Sequence, residues 1–267
     1  MSVTKKLFLG LFVLSLAASG SVALATVLFS RYSLPGSADL TEVENRVTPG
    51  LAKRLAKQGL ALGSPVHIRV FKESSELEVW LRRAGGDYGL FRTYPICSYS
   101  GALGPKLKEG DRQSPEGFYT VTPGQMNPNS RYHLSFNIGF PNAFDRSHGR
   151  TGSFLMVHGN CVSIGCYAMT NAGVEEIYLL ANEAFKKGHS DFGVHIFPFR
   201  MTAENFARHS GSKWLGFWQN LKEGHDAFEF TRVPPVVGVR EQTYSVAARP
   251  APGLQTAAMP DVKPRSN

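Results

Sequence analysis

Hydrophobic and polar positions change period several times along the chain, and those changes predict its elements. From residue 65, "SPVHIRVFKESSELEVWLRRAGGDYGLFRTYPICSYSG" alternates with period two over residues 66–71, 77–81 and 90–97. Turn-forming residues at Glu73-Ser74-Ser75 and at Ala84-Gly85-Gly86-Asp87 separate the three runs, so they predict an antiparallel meander. Further strands are predicted at "FYTVTP", "RYHLSFNIGF" and "FGVHIFPF". "FLMV" is apolar throughout, the mark of a short central strand buried on both faces, and His158 stands at its C-terminal end. Helical spacing appears in "GLAKRLAKQGLALG", in "NAGVEEIYLLANEAFKKG" behind a Thr or Asn cap, in "AENFARHS" and in "SKWLGFWQNLKEGHDAFEF". Long polar loops precede "FYTVTP" and "FLMV", and loops of that length in a domain are functional or disordered. No internal repeat is visible. The fold class expected is mainly β with flanking helices, α+β.

The same pattern divides the chain. Residues 1–30 read as a signal peptide or membrane anchor: "MSVTKK" is a short positive region, and the run from Leu7 to Phe29 is uncharged and mostly apolar. Ala23-Leu24-Ala25 suits a signal peptidase, yet the run is also long enough to span a bilayer, so cleavage and inner-membrane anchoring both remain open. Either way the lysines stay inside and the rest of the chain is placed outside, in the periplasm or cell envelope. Residues 31–64 read as a linker and short helix, 65–200 as the main strand-rich domain and 201–230 as C-terminal helices. Residues 231–267, with six prolines and little periodicity, read as a disordered tail.

Composition changes this picture little. The 267 residues are 42% hydrophobic and 19% charged. The net charge of +8 comes without any Lys/Arg block or basic-aromatic interleaving, so nucleic acid is not an expected partner. Cysteine count matters more. Three cysteines, Cys97, Cys161 and Cys166, leave at least one free thiol unless another chain pairs with it. A free thiol in an oxidising compartment is a liability unless buried or used.

The chemistry concentrates in "FLMVHGNCVSIGCYAMTN", where three readings compete. A histidine beside an apolar strand and buried cysteines are ordinary core features. A metal site would use His158, Cys161 and Cys166, with His148 as a distant fourth candidate, but lacks the paired short spacing of structural zinc sites. A cysteine nucleophile explains more of the local sequence. His158 at a strand end is rigidly held, and the Ser-Ile-Gly-Cys turn brings Cys166 back towards it. The Gly159 carbonyl is placed to fix the imidazole tautomer, and Gly165 permits a sharp turn with main-chain N–H groups for an oxyanion. The helix start that follows, at Asn171, would add positive partial charge that favours the thiolate.

These residues resemble a known family. "HGNCVSIGCYAM", preceded by "SPEGFY", "IGFPNAFD" and "GRTG", is similar to the L,D-transpeptidase catalytic domain, the YkuD family, and most to its YafK-type branch. The likeness runs from about Pro65 to Phe199. It implies a β-sandwich-type catalytic domain in an exported enzyme without metal or organic cofactor, acting on peptidoglycan stem peptides. It implies Cys166 as nucleophile, His158 as general acid and base and the Gly159 carbonyl as its orienter. Ser163 and Gly165 would shape the loop and, through the backbone near Gly165 and Cys166, supply oxyanion donors. In that chemistry the cysteine attacks the L-to-D bond after diaminopimelate, expels D-Ala and holds the rest as a thioester, which an amine resolves. The sequence departs from many cross-linking members in a shorter His-to-Cys interval and in Tyr167-Ala168, where those have a hydrophobic residue and Arg that would grip a substrate carboxylate. Some YafK-type members hydrolyse the bond tethering an envelope lipoprotein instead, so a hydrolase is the neighbouring alternative. A non-catalytic peptidoglycan-binding module is the alternative of another class.

Arg150 is a candidate for a substrate carboxylate or, equally, for a loop-holding salt bridge. Tyr132 and His133 are candidates for the cleft wall. Cys161 is expected to be a buried bystander, with a disulfide to Cys166 as the alternative. Cys97 is expected to be a buried free thiol, and Trp80, Trp214 and Trp218 to pack in the core.

Overall fold

The structure, a computed structural model, describes residues 36–250. The N-terminal apolar run and the last part of the proline-bearing tail lie outside the described residues. Among those described, no helix is long and apolar enough to cross a membrane.

The expected meander is present. Strands β1 (Val66–Phe71), β2 (Glu76–Arg82) and β3 (Tyr88–Pro95) pair antiparallel in sequence order. Strand β4 (Gly117–Val121) follows the long loop, and the last core strand, β9 (Phe192–Phe197), inserts between β1 and β4. It runs parallel to β1 and antiparallel to β4, giving a five-stranded sheet in the order β3-β2-β1-β9-β4. A second sheet of four short strands, β5 (Met126–Asn127), β6 (Ser135–Asn137), β7 (Met156–His158) and β8 (Tyr167–Ala168), carries the candidate site.

Burial explains the layering. Ile68, Val70, Val194 and Ile196 turn from the large sheet to meet Phe136, Val157 and Tyr167 from the small one. Into the same cluster comes the apolar face of a helix, Val174, Ile177 and Ala181. That helix is the third; the first two are α1 (Leu40–Ala56) and the short α2 (Ala143–Ser147). Helix α3 (Asn171–Lys186) begins at Thr170, whose hydroxyl accepts from Gly173 N–H. On the other face of the large sheet a second cluster gathers Phe71, Phe118, Phe197, Phe199, Trp218 and Leu221. After the short helix α4 (Ala203–Arg208), helix α5 (Leu215–Thr231) supplies Trp218 and Leu221.

Two expectations are corrected at the ends. The helix expected from about residue 50 begins ten residues earlier: Asp39 accepts from Thr41 and Glu42 N–H and starts α1 at Leu40, inside the stretch read as linker. Pro49 lies within it on the exposed side, and Asn45, whose carbonyl loses its helical partner there, is exposed to water. Ion pairs Arg46–Glu175, Arg54–Glu176 and Lys186–Glu44 fasten α1 to α3. The tail is not wholly irregular either. Strands β10 (Val236–Arg240) and β11 (Thr243–Ala247) form a hairpin whose Tyr244 is buried against Phe118 and Phe144. Its single inward aromatic is too little periodicity for a sequence pattern to register.

The loop over residues 100–116 is ordered from beneath. Lys72 and Glu116 form an ion pair of 3.0 Å with both side chains fully buried. Lys72 Nζ also donates to the carbonyls of Ala102, Gly104 and Ser114, while Glu116 accepts from Gly104 N–H and Trp218 Nε1. Each polar atom is satisfied, which is what makes such a pair tolerable in a core.

Candidate active site

Strands β7 and β8 run parallel, with Val157 opposite Tyr167 and His158 opposite Ala168. Continuing that register by one residue sets Cys166 opposite Met156. Side chains of facing residues share a face, and so do residues two apart along a strand, so Met156, His158 and Cys166 project together. All three line one cleft of about 790 Å³.

The histidine is held in one tautomer. Its Nδ1 lies 2.6 Å from Gly159 O, and a carbonyl can only accept, so Nδ1 carries the proton and Nε2 keeps its lone pair. The carbonyl is itself fixed by its glycine. A Cβ at Gly159 would fall 2.6 Å from Asn171 Oδ1 and 3.0 Å from Tyr132 O. The Tyr132 ring tilts against the imidazole with centroids 4.8 Å apart, and Tyr132 lines the cleft. His133 does not; it turns away to Glu175 Oε1 at 2.8 Å.

The loop from Asn160 to Gly165 is tied at several points. Asn160 and Cys161 adopt left-handed φ values of 67° and 52°, and Gly165 has φ 151°. Ser163 Oγ accepts from Gly165 N–H and donates to the Cys166 carbonyl at 2.7 Å, and Ser114 Oγ donates to the same carbonyl at 3.1 Å. Ser163 therefore fastens the turn. The Gly165 N–H, being taken by Ser163, is not free for an oxyanion in this conformation. Cys161 is bonded to Cys97. Cys97 is exposed beyond the end of β3, where its N–H donates to Ala168 O, so it is neither buried nor free. Cys161 is likewise neither a bystander nor Cys166's partner. The bond also removes the second thiolate that the metal reading needed. The two sulfurs are 64 residues apart in sequence and meet through the pairing of the β3 end with β8, which local spacing does not reveal.

Cys166 is the free cysteine, half-buried. Its sulfur accepts from Met156 N–H at 3.4 Å and lies 3.7 Å from Phe154 O. Burial pushes the thiol up, against the Met156 N–H and the positive charge of Lys106, which pull it down. Burial pushes the His158 imidazole down, against its bond to the Gly159 carbonyl. Burial thus favours the neutral thiol and the neutral imidazole at rest. Helix α3 begins at Asn171 behind its Thr170 cap, where the sequence places it, with β8 lying between it and the cysteine.

Arg150 is not among the cleft residues. It is buried, pairs with Asp145 Oδ1 at 2.9 Å and stacks on Phe144 and Phe217, so its role is the salt bridge. His148 is bound to Phe144 O. The cleft instead contains residues that the sequence did not single out. Lys106, Arg112 and Arg131 line it against one acid, Glu109, and Phe154, Val162 and Ile164 form an exposed apolar lip. The lip falls in loops, where no periodicity marks it.

Comparison with known proteins gives the family. Residues 65–187 match the family model of the L,D-transpeptidase catalytic domain, YkuD. The chain is 51% identical over 186 residues to "Putative L,D-transpeptidase YafK" of Escherichia coli K12, covering 70% of this chain and 75% of that one. The same values hold for the protein of that name from E. coli O157:H7. Among solved structures, the helical cell shape determining protein Pgp2 of Campylobacter jejuni overlays 68% of this chain and 67% of its own at 21% identity, with a TM-score of 0.41. Bd1075 of Bdellovibrio bacteriovorus overlays 63% and 62% at 23% identity, with a TM-score of 0.33. With its α+β sheets, its family match and a relative at half identity over most of both chains, this chain belongs to the YkuD family of L,D-transpeptidase catalytic domains.

Proposed function

We propose that the protein is an exported cysteine acyltransferase acting on peptidoglycan stem peptides, with Cys166 as nucleophile and His158 as general acid and base. The observation that carries this reading is the His158 tautomer. With Nδ1 committed to Gly159 O, the basic Nε2 is left on the sheet face that also presents the Cys166 sulfur to the cleft. Because both groups rest neutral, the thiol proton passes to Nε2 as sulfur attacks the carbonyl on the diaminopimelate side of the L-to-D bond. The C–N bond then breaks, Nε2 returns the proton to the departing D-Ala amine, and the acyl group remains on sulfur as a thioester. An acceptor amine attacks next, gives its proton to Nε2, and the sulfur leaves as the thiol.

Export is supported by the positive start and apolar run of the N-terminus and by the Cys97–Cys161 disulfide, which suits an oxidising compartment. A second reading has water resolving the thioester, releasing a lipoprotein or other amine-linked group from the stem peptide. It is favoured by Tyr167 and Ala168, which are buried in β8, so the positions after the nucleophile offer no cation to an acceptor. One experiment separates the two. Full-length protein is incubated with a diaminopimelate tetrapeptide muropeptide, and the products are read by mass spectrometry beside Cys166→Ala. A cross-linked dimer with loss of D-Ala supports transpeptidation, and a tripeptide without dimer supports hydrolysis. D-Ala release that persists in Cys166→Ala contradicts both.

A further inference from the structure

The face of the large sheet that packs on α5 has a gap in it. Strand register puts Gly193 of β9 beside His67 of β1 and Thr120 of β4, and His195, two residues on, projects from the same face. Gly193 has no side chain to place between them. A Cβ there would lie 3.0 Å from His67 Nδ1 and 3.5 Å from His195 Nε2. His67 is fully buried and His195 is 5% exposed. Yet Nδ1 and Nε2 of His67 and Nδ1 of His195 meet no hydrogen-bond partner among the described residues. Orphaned ring nitrogens in a core are costly unless something polar comes to them.

Gly193 and His195 both line a cavity of about 430 Å³. Small-molecule sites run from about 300 to 1,000 Å³ and combine apolar, aromatic walls with a few convergent polar groups. Tyr88, Phe118 and Tyr244 are the aromatic liners here, and strand β10 of the C-terminal hairpin lines the cavity too. No lining residue is shared with the cleft at Cys166.

The lining decides what kind of ligand fits. Its two charged members, Asp191 and Arg249, are of opposite sign, and burial first, then neighbouring positive charge, keeps both imidazoles neutral. Among the described residues no group of three ligating side chains is placed to hold a metal ion. A neutral imidazole carries one donor and one acceptor, so two of them suit a group that both donates and accepts, which is a hydroxyl. A carboxylate can only accept, and an ammonium can only donate. A sugar ring carries hydroxyls on its rim and apolar C–H faces that pack on aromatic walls. We propose that this cavity binds one neutral sugar ring, its hydroxyls hydrogen-bonded to His67 and His195 over Gly193. The end of an envelope glycan strand and a free sugar share that chemistry, and the test separates them. The inference does not rest on the acyl-transfer reading above.

The test titrates full-length protein carrying isotope-labelled histidine with N-acetylglucosamine and with chitotriose, its linear trimer, and follows the imidazole resonances by NMR. The His67 and His195 resonances should shift on binding, and that of His158 should not. His195→Phe keeps an aromatic ring but no hydrogen bond and should weaken binding about tenfold. Gly193→Ala puts a methyl group on the floor and should weaken it at least as much, with both variants checked for an intact melting transition. Cys166→Ala should bind as the wild type does, so this site stands or falls apart from the acyl-transfer chemistry. Chitotriose binding at least as tightly as the monosaccharide assigns the end of a glycan strand, and binding of the monosaccharide alone assigns a free sugar. No shift at His67 or His195 with either sugar overturns the proposal, and so does undiminished binding in both folded variants. Glucuronic acid binding as tightly as N-acetylglucosamine overturns the neutral class.

Discussion

At the residue scale, the site depends on where two protons sit at rest. His158 gives Nδ1–H to Gly159 and is pushed by burial towards the neutral form, while burial holds the Cys166 thiol above its ordinary range. A raised thiol stays protonated until high pH. Alkylation of Cys166 by iodoacetamide should therefore keep rising as pH passes about 8.5, the ordinary thiol value, with His158→Ala slower near neutrality. A plateau reached by pH 7 would mean a preformed thiolate and contradict the neutral pair. Gly159 is the second dependency. Any Cβ there meets the Tyr132 carbonyl, the His133 Cβ and the Asn171 amide oxygen at 3.0 Å or less. Gly159→Ala should cost about 1–3 kcal/mol of stability. It should also cost more than tenfold in kcat, because the carbonyl that sets the tautomer is displaced. Full activity in that variant, measured on muropeptide, would show that the carbonyl does not orient His158. The placement of these residues on one face was legible in the sequence, since His-Gly after an apolar run and Ser-Ile-Gly-Cys constrain the backbone over only a few residues.

At the element scale, the loop between His158 and Cys166 is strung between β7 and β8 and tied to the end of β3 by Cys97–Cys161. Replacing both with serine should lower stability by about 2–4 kcal/mol, as expected for a cross-link closing a long loop. Activity should fall further than thermal unfolding explains, because the tie lies within the loop between His158 and Cys166. Equal activity in the paired-serine protein below its Tm would leave the disulfide a stability device only. The strands were legible because period-two alternation survives in β1, β2 and β9. What escaped was non-local or masked by a local contrary signal. Pro49 hid the length of α1, six prolines hid the β10–β11 hairpin, and the partner of Cys161 lies 64 residues away. The loop 100–116 was recognised as long and polar, but the buried Lys72–Glu116 pair that orders it is a tertiary fact. Lys72→Met alone should be severe, at about 3–5 kcal/mol, because Glu116 is left charged and buried; adding Glu116→Gln should recover part of the loss.

At the scale of the whole molecule, the large sheet separates a face that supports the site from a face that supports the sheet. On the second face His67 and His195 pack edge to face at 4.5 Å among Phe118 and Phe228. Burial first, then neighbouring positive charge, drives both down, His195 to about 3. Depressed values mean that the unfolded chain binds protons that the folded one refuses. The stability these rings contribute is present above the unfolded value near 6.5 and is lost as pH falls towards 3, at about 1.4 kcal/mol per pH unit for each histidine. The melting temperature should fall steeply from pH 6.5 to 4 and less steeply in His195→Leu; identical slopes would show that the ring titrates freely in the fold. The central claim concerns covalent chemistry, and intact-protein mass after brief mixing with tetrapeptide muropeptide tests it most directly. The account predicts an adduct equal to the donor less D-Ala, mapping to the Cys166 peptide and absent from Cys166→Ala. Release of D-Ala with no adduct on Cys166 under rapid quench, or an equal adduct in the alanine variant, would contradict it.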